Sequence, residues 1–204
     1  MKRLLLFGLM TAFMTNALQA QNPTSATIRT VVGPQSKAVE NFIKKHEEQG
    51  RYVEMSEDYI KAMLATPHAK LTSPSGKGVL QLFRSLTVSA QYWDELRKNI
   101  EADNYQRESY SRTMASEPNP ELETEAAQRG LMRREITRKI EMVSAQYTRQ
   151  SADVAECVLI RKNPEELSVI YMKGTNMNLV DFTSYLSFFR NNAPSQYKPD
   201  ARFR

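Results

Sequence analysis

The stretch CVLIRKNPEELSVIYMKGTNMNLVDF, residues 157–182, decides the fold and contains the chain's only cysteine. Apolar residues alternate in two runs, 154–160 and 167–172, on either side of a polar turn in which Pro164 fixes the backbone angle. Two such runs around a turn predict a β-hairpin. Because both faces of the first run are apolar, Cys157 is expected to be a small buried side chain on a strand.

A helix is predicted after the hairpin, because Asn178 can cap its first turn and Phe182 and Phe189 recur on one side. The same periodicity places further helices at 36–50, 56–66 and 90–100, and strands at 51–55 and 79–88. Ser36 and Ser56 are the expected caps of the first two helices. The fold class expected is α+β: a small antiparallel sheet with helices packed on one face, ending in a C-terminal β-hairpin followed by a helix.

The segment 101–150 is predicted to be a helical insert. Its first part is polar and is expected to be a mobile loop or a frayed helix. Asn119 and Pro120 are typical of a helix start, with a capping residue followed by proline at the first helical position. Val143 and Tyr147, four residues apart, continue an apolar helical stripe.

Four arginines of this insert form a candidate anion-binding site. They fall into pairs four residues apart, which on a helix would form two ridges for an anionic glycan or a lipid headgroup: Arg129, Arg133, Arg134 and Arg138. The alternative is a solvated helix face. Acidic residues near a helix start and basic residues later suit the helix dipole, and Glu135 can pair with Lys139.

The start of the chain, MKRLLLFGLMTAFMTNALQAQN, has the layout of a secretory signal peptide. Two positive residues precede an apolar run that is shorter than the roughly 20 residues of a membrane-spanning helix. Cleavage is expected after Ala20, with Ala17 as the competing site. No cysteine follows the run, so a lipid anchor is not expected, and no later apolar stretch is long enough to span a membrane. The product is predicted to be exported, to the periplasm or the medium.

The expected organisation is a signal peptide at 1–20, a flexible leader at 21–35, a single α+β domain at 36–190 and a flexible basic tail at 191–204. The formal net charge of +5 includes Lys2 and Arg3, so the exported chain is closer to neutral. Nucleic acid is therefore not an expected partner. An internal disulfide is excluded, since Cys157 is the only cysteine.

Gly174, Leu179 and Asp181 lie in the turn between the predicted hairpin and the last helix. In this region the chain resembles the C-terminal half of domain-of-unknown-function family 4252, small exported bacterial proteins in which a hairpin runs into such a turn and a final helix. The stretches FIKKHEEQGRYVEMSEDYIKAML and VLQLFRSLTVSAQYWDEL resemble the N-terminal half of that family. The resemblance covers roughly 39–98 and 152–190.

Two features depart from the family. Many members carry a lipid-anchoring cysteine that this chain lacks, and the predicted helical insert is longer than the family's. A related uncharacterised exported family with the same plan fits the pattern equally well. The resemblance implies a compact α+β fold in the cell envelope and no known activity.

The sequence contains no recognisable catalytic or metal-binding motif. His46 lies on the apolar side of the first helix, where a core histidine is expected, and His68 lies in a loop. With two separated histidines and one cysteine, neither a metal site nor a cofactor is expected. Burial of Cys157 would raise its pKa and make the thiol unreactive.

The function that these features favour is binding rather than catalysis. We expect a non-catalytic interaction module of the cell envelope or periplasm. It would dock a protein partner through the segment 101–150 or through an exposed rim of the last helix formed by Tyr185 and Phe188. One alternative is a hydrolase-type enzyme with a site assembled from distant residues, although the adjacent carboxylates Glu47-Glu48 and Glu165-Glu166 lie on a solvated helix face and in a turn. The other is a binder of anionic glycan or lipid through the arginine ridges.

Overall fold

The computed structural model describes residues 37–65, 77–118 and 137–192. The signal peptide, the leader, His68 and the tail after residue 192 lie outside these ranges. The strands of the described part are β1 (Arg51–Ser56), β2 (Val79–Ser89), β3 (Gln106–Pro118), β4 (Thr137–Ser151), β5 (Val154–Lys162) and β6 (Glu166–Thr175). Its α-helices are α1 (Ala38–His46), α2 (Glu57–Leu64), α3 (Trp93–Ala102) and α4 (Leu179–Asn192).

The strands form one antiparallel sheet in the order β1-β2-β6-β5-β4-β3. The predicted hairpin is β5–β6, at the centre of the sheet, with Cys157 opposite Met172 and Val158 opposite Tyr171. α4 follows it directly. The α+β class, the antiparallel sheet and the C-terminal hairpin–helix arrangement are thus confirmed.

The helices lie on both faces of the sheet rather than on one. Side chains alternate between faces along a strand, so Cys157 and Val158 belong to different apolar clusters. Val158 packs with Phe42 of α1 and Leu96 of α3, on what we call the α1/α3 face. Cys157 packs with residues of α2 and α4, on the α2/α4 face. Two helix layers are needed because the central hairpin is apolar on both sides.

The prediction of a helix over 119–150 is wrong from residue 137 onward, and the polar segment before it is a strand instead of a loop or frayed helix. β3 and β4 pair along most of their length. Val143 and Tyr147 are four apart, and a spacing of four puts two side chains on one face of a strand as well as of a helix. Ile140 and Met142 are both buried and only two apart, which fits a strand alone.

Two helix starts have the predicted caps. The Ser56 hydroxyl accepts a hydrogen bond from the Tyr59 amide of α2, at 3.4 Å. At α4, the Asn178 side chain accepts from the amides of Val180 and Asp181, at 2.9 and 3.0 Å. The Asp181 carboxylate accepts from the Asn178 amide in return, at 2.9 Å. This reciprocal pairing is a capping box, and it explains the buried aspartate in the turn.

Gly50 is required by a close backbone approach. A Cβ atom built on Gly50 would lie 2.3 Å from the carbonyl oxygen of Thr87, on the neighbouring strand β2. Any side chain there would push β1 away from β2. Gly50 therefore has a packing role between the strands, in addition to following the short 3-10 turn Glu47–Gln49 that ends the first helical segment.

None of the helices in the described ranges is both long enough and apolar enough to cross a membrane.

Candidate functional site

His46 is a core histidine, as predicted. Its ring is buried, with Nδ1 at 2.9 Å from Gln49 Oε1 and Nε2 at 3.2 Å from Glu95 Oε2. Phe42 and Tyr92 pack against the ring, with centroids at 4.7 and 4.2 Å. The imidazole is therefore held in place by polar contacts at both nitrogens and by the two aromatic rings, which is a structural role.

Cys157 is fully buried on β5, also as predicted. Burial raises the pKa of the thiol to about 12, so the thiolate is not populated near neutral pH. The side-chain amide of Gln146 donates to Sγ at 3.7 Å. Cys157 faces the α2/α4 side of the sheet, whereas His46 belongs to α1 on the other side. The structure does not bring these two residues together.

Tyr185 and Phe188 do not form an exposed rim. They are only 4% and 5% exposed and belong to the apolar cluster of the α2/α4 face. The Tyr185 hydroxyl accepts a hydrogen bond from the Leu80 amide at 3.4 Å. The predicted docking surface on the last helix is therefore wrong, because α4 turns these aromatic side chains toward the sheet.

The candidate arginine ridges lie mostly outside the described residues. This holds for Arg129, Arg133 and Arg134. Arg138 belongs to β4, where its backbone lies in register with Glu117 of β3. Since Arg138 is on a strand, Arg134 and Arg138 do not form the predicted helical ridge.

A buried group of charges on the α1/α3 face was not predicted from the sequence. Arg149 of β4 donates from Nη2 and Nε to Glu156 Oε2 on β5, at 2.6 and 3.1 Å. Its Nη1 donates to the backbone carbonyl of Asp103 at 3.1 Å. The guanidinium also lies over the ring of Tyr105, 4.6 Å from the centroid. All four residues are buried.

This charged group also anchors the first helix. The two carboxylate oxygens of Asp103 accept hydrogen bonds from the amides of Ala38 and Val39, at 3.0 and 2.9 Å. These are the unpaired amides of the first turn of α1, so Asp103 acts as its cap from 64 residues away. Ser36, the predicted cap, lies outside the described residues.

A second charged group joins α1 to the sheet, with Arg84 buried, Glu40 15% exposed and Glu54 42% exposed. Arg84 of β2 contacts Glu40 of α1 at 3.2 Å and Glu54 of β1 at 2.9 Å. The Tyr171 hydroxyl donates to Glu40 at 3.2 Å. Burial, with the nearby carboxylates, raises the pKa of Tyr171, and a hydrogen bond from Tyr52 lowers the pKa of Glu54.

Both charged groups serve the fold. Among the described residues, every buried side-chain nitrogen or oxygen has a hydrogen-bond partner. No cluster of three or more His, Cys, Asp or Glu residues in the same ranges could hold a metal ion. The charges around Arg149 are enclosed and mutually paired, whereas Glu54 is 42% exposed and its carboxylate is paired with Arg84.

A shallow groove of about 490 Å³ lies where β1 begins, β2 ends and β5 turns into β6. Glu48, Glu165 and Glu166 are among the residues that line it, and Arg51 pairs with Glu166 at 3.0 Å. Carboxylate-pair hydrolysis requires an acid in an enclosed, apolar setting, which raises its pKa. This groove is open to solvent, and so it is a weak candidate for an active site.

The more distinctive surface is the outer edge of the sheet. β3 has 13 residues and, within the described ranges, pairs with β4 alone. β4 pairs with β5 only from Val143 onward. The segments 113–118 and 137–142 therefore form a two-stranded projection, which we call the β3–β4 arm.

Two exposed apolar side chains lie on this edge. Tyr110 is 46% exposed and Met114 is 63% exposed, the largest fraction among the big apolar side chains of the described part. Arg112 lies between them and forms an ion pair with Glu141 of β4. The Arg107 guanidinium sits 5.4 Å from the centre of the Tyr110 ring. Alternation places Tyr110, Arg112 and Met114 on one face, the α1/α3 side.

No protein-family model, no curated protein and no solved structure matches this chain. The resemblance to domain-of-unknown-function family 4252 thus stays a prediction.

Proposed function

We propose that this chain is an exported, non-catalytic interaction module of the cell envelope or periplasm that binds a protein partner by strand addition at β3. The observation that carries the proposal is the long outer strand, which has an exposed apolar residue on each side of Arg112. The exported location rests on the signal-peptide pattern of the first 20 residues.

An edge strand offers a row of backbone N–H and C=O groups to a partner strand. Proteins usually protect such edges by keeping them short or by placing charges and proline along them. The opposite edge is short, since β1 has only six residues. β3 is more than twice as long, and its proline, Pro118, is at the very end. Charged residues lie along β3 as well, and Arg112 among them is paired with Glu141 of β4.

The chemistry of the remaining surface supports binding over catalysis. The thiol of Cys157 is buried, and the charges around Arg149 and Arg84 are used to hold α1 on the sheet. The groove beside Glu165 is open and its arginine is already paired. Strand addition needs none of these groups, because the backbone supplies the hydrogen bonds and side chains such as Tyr110 supply specificity.

The test is a photo-crosslinking amino acid placed in the full chain, in the cells that export it. Met114 is the test position and Val180 is the control, since Val180 is 40% exposed and belongs to α4, which packs on the α2/α4 face, whereas Met114 lies on the α1/α3 side. We expect a discrete protein adduct at Met114 and none at Val180. Equal adducts at both positions, or none at Met114, would remove the support for β3 as the binding edge.

A further inference from the structure

We propose that the strand added to β3 is β3 of a second copy of this chain, running antiparallel with Arg112 opposite Arg112 of the other copy. This inference rests on the proposed function and names its partner. It follows from the register that brings the exposed side chains of β3 together, from the bulge that limits that register, and from the charges around Arg112.

The geometry of the edge restricts the register. A twofold axis perpendicular to the sheet keeps each face of the sheet continuous across the two copies. Opposed residues then lie on the same face, so one residue of β3 must lie opposite the same residue of the other copy. A bulge between Arg107 and Ser109 interrupts the regular ladder of β3 at one end. Pairing centred on Arg112 uses residues 109–115 of both copies and stays clear of the bulge.

This register places apolar side chains opposite apolar ones and hydroxyl side chains opposite hydroxyl ones. Tyr110 of each copy lies opposite Met114 of the other, so both exposed apolar side chains of the edge gain an apolar neighbour, twice in the dimer. On the opposite face of the strand, Ser111 lies opposite Thr113, a pairing in which the hydroxyl groups can hydrogen-bond. Axes through neighbouring residues pair Tyr110 with Arg112 or with Ser116 and leave Met114 without an apolar partner.

The two arginines at the axis do not meet as bare charges. Each Arg112 is held by Glu141 of its own β4, and this hydrogen bond lowers the pKa of the Glu141 carboxyl. Across the axis the order is Glu141, Arg112, Arg112, Glu141, so each arginine that faces its copy is already compensated by a carboxylate of its own chain. Removing Glu141 leaves like charges opposed, so Glu141→Gln is expected to weaken the dimer.

The first experiment is cysteine scanning of the full exported chain, purified and mildly oxidised. Opposed Cα atoms in an antiparallel pair are about 4.5–5.5 Å apart, which a disulfide can span. Arg112→Cys is expected to form a covalent dimer. Neither Tyr110→Cys alone nor Met114→Cys alone is expected to form one. In each variant the two introduced cysteines are four positions apart along the paired strands, a distance of about 13 Å. Mixing these last two variants should give a covalent dimer of one chain of each. The native thiol of Cys157 is buried and does not compete.

The second experiment measures self-association by sedimentation of matched charge variants. Tyr110→Lys with Met114→Lys puts lysine opposite lysine and should weaken the dimer about tenfold or more. Tyr110→Glu with Met114→Lys carries as many new charges but puts opposite charges together, and it should retain the dimer. Circular dichroism of both variants checks that the fold is kept.

The inference is overturned if the chain stays monomeric at high concentration and Arg112→Cys crosslinks no faster than Val180→Cys. It is also overturned if Tyr110→Cys or Met114→Cys links alone, which would indicate another register. Either result rejects the dimer but not strand addition at β3, provided that the photo-crosslinker at Met114 still captures a different protein in cells. If that adduct is absent too, both the dimer and strand addition at β3 are rejected.

Discussion

The most informative single change in the core is Arg149→Met. In the native chain the guanidinium makes two hydrogen bonds to Glu156, at 2.6 and 3.1 Å, and one to the Asp103 carbonyl, at 3.1 Å. The substitution leaves the Glu156 carboxylate buried with only the Tyr105 hydroxyl as a hydrogen-bond partner among these groups. Breaking a buried ion pair from one side costs about 3–5 kcal/mol. A domain of this size has a total stability of about 5–15 kcal/mol, so the variant should still fold but with a much lower urea midpoint.

The double variant separates the charge effect from simple loss of contacts. Arg149→Met with Glu156→Met removes both charges of this pair and leaves the Tyr105 hydroxyl and the Asp103 carbonyl unpaired, at about 1–3 kcal/mol each. The Asp103 carboxylate loses the guanidinium 3.9 Å away in the double variant and in Arg149→Met alike, so this loss cancels in the comparison. We therefore expect the double variant to be no less stable than Arg149→Met alone, with a coupling energy of about 3 kcal/mol or more.

The assay is urea unfolding followed by far-ultraviolet circular dichroism and by the fluorescence of Trp93, the only tryptophan. The control is Arg51→Met, which breaks the half-exposed pair with Glu166 and should cost no more than about 1 kcal/mol. The account of the buried charges would be refuted if Arg149→Met cost no more than the control. It would also be refuted if the effects of Arg149→Met and Glu156→Met simply added.

Three further predictions concern the fold. Asp103→Ala removes the cap of α1 and should lower the free energy of unfolding in urea by about 1–2 kcal/mol. Ser56→Ala should cost less, because its capping hydrogen bond to α2 is exposed and 3.4 Å long. Equal costs would contradict the role of Asp103. Gly50→Ala would put a Cβ atom 2.3 Å from the Thr87 carbonyl and should lower stability by about 1–3 kcal/mol, whereas an unchanged melting temperature would show that the two strands separate freely. Burial raises the pKa of Cys157 from 9.0 to about 12. Between these two pH values the thiol is deprotonated in the unfolded state and protonated in the native state. The free energy of unfolding therefore falls by about 1.4 kcal/mol for each unit that the pH rises in this window. Cys157→Ala should flatten that part of the urea-midpoint profile, and a profile identical to that of the native chain would contradict the burial argument.

The parts of the fold that depend on local pattern could be predicted from the sequence. The β5–β6 hairpin and the caps at Ser56 and Asn178 arise from residues that are close along the chain. The helix predicted for 137–150 is wrong because the spacing of Val143 and Tyr147 fits a helix and a strand equally. The spacing of Ile140 and Met142 was the signal that could have decided between them.

The surface and the buried charges could not be predicted in the same way. Whether Tyr110 and Met114 are exposed depends on β3 being the last strand of the sheet, and strand order is set by contacts between distant segments. The cap that Asp103 provides to α1 likewise joins residues that are 64 positions apart. An alternation of Tyr110, Arg112 and Met114 is visible in the sequence, but it does not say which face or edge of a sheet it will occupy.

The most direct test of the central claim, that β3 is the binding edge, is amide hydrogen exchange of the full chain at two concentrations about a hundredfold apart. Amides in residues 109–115 are expected to become protected at the higher concentration, while α4 and the groove beside Gly50 exchange at unchanged rates. Protection that appears on α4 or in the groove but not in 109–115 would contradict it.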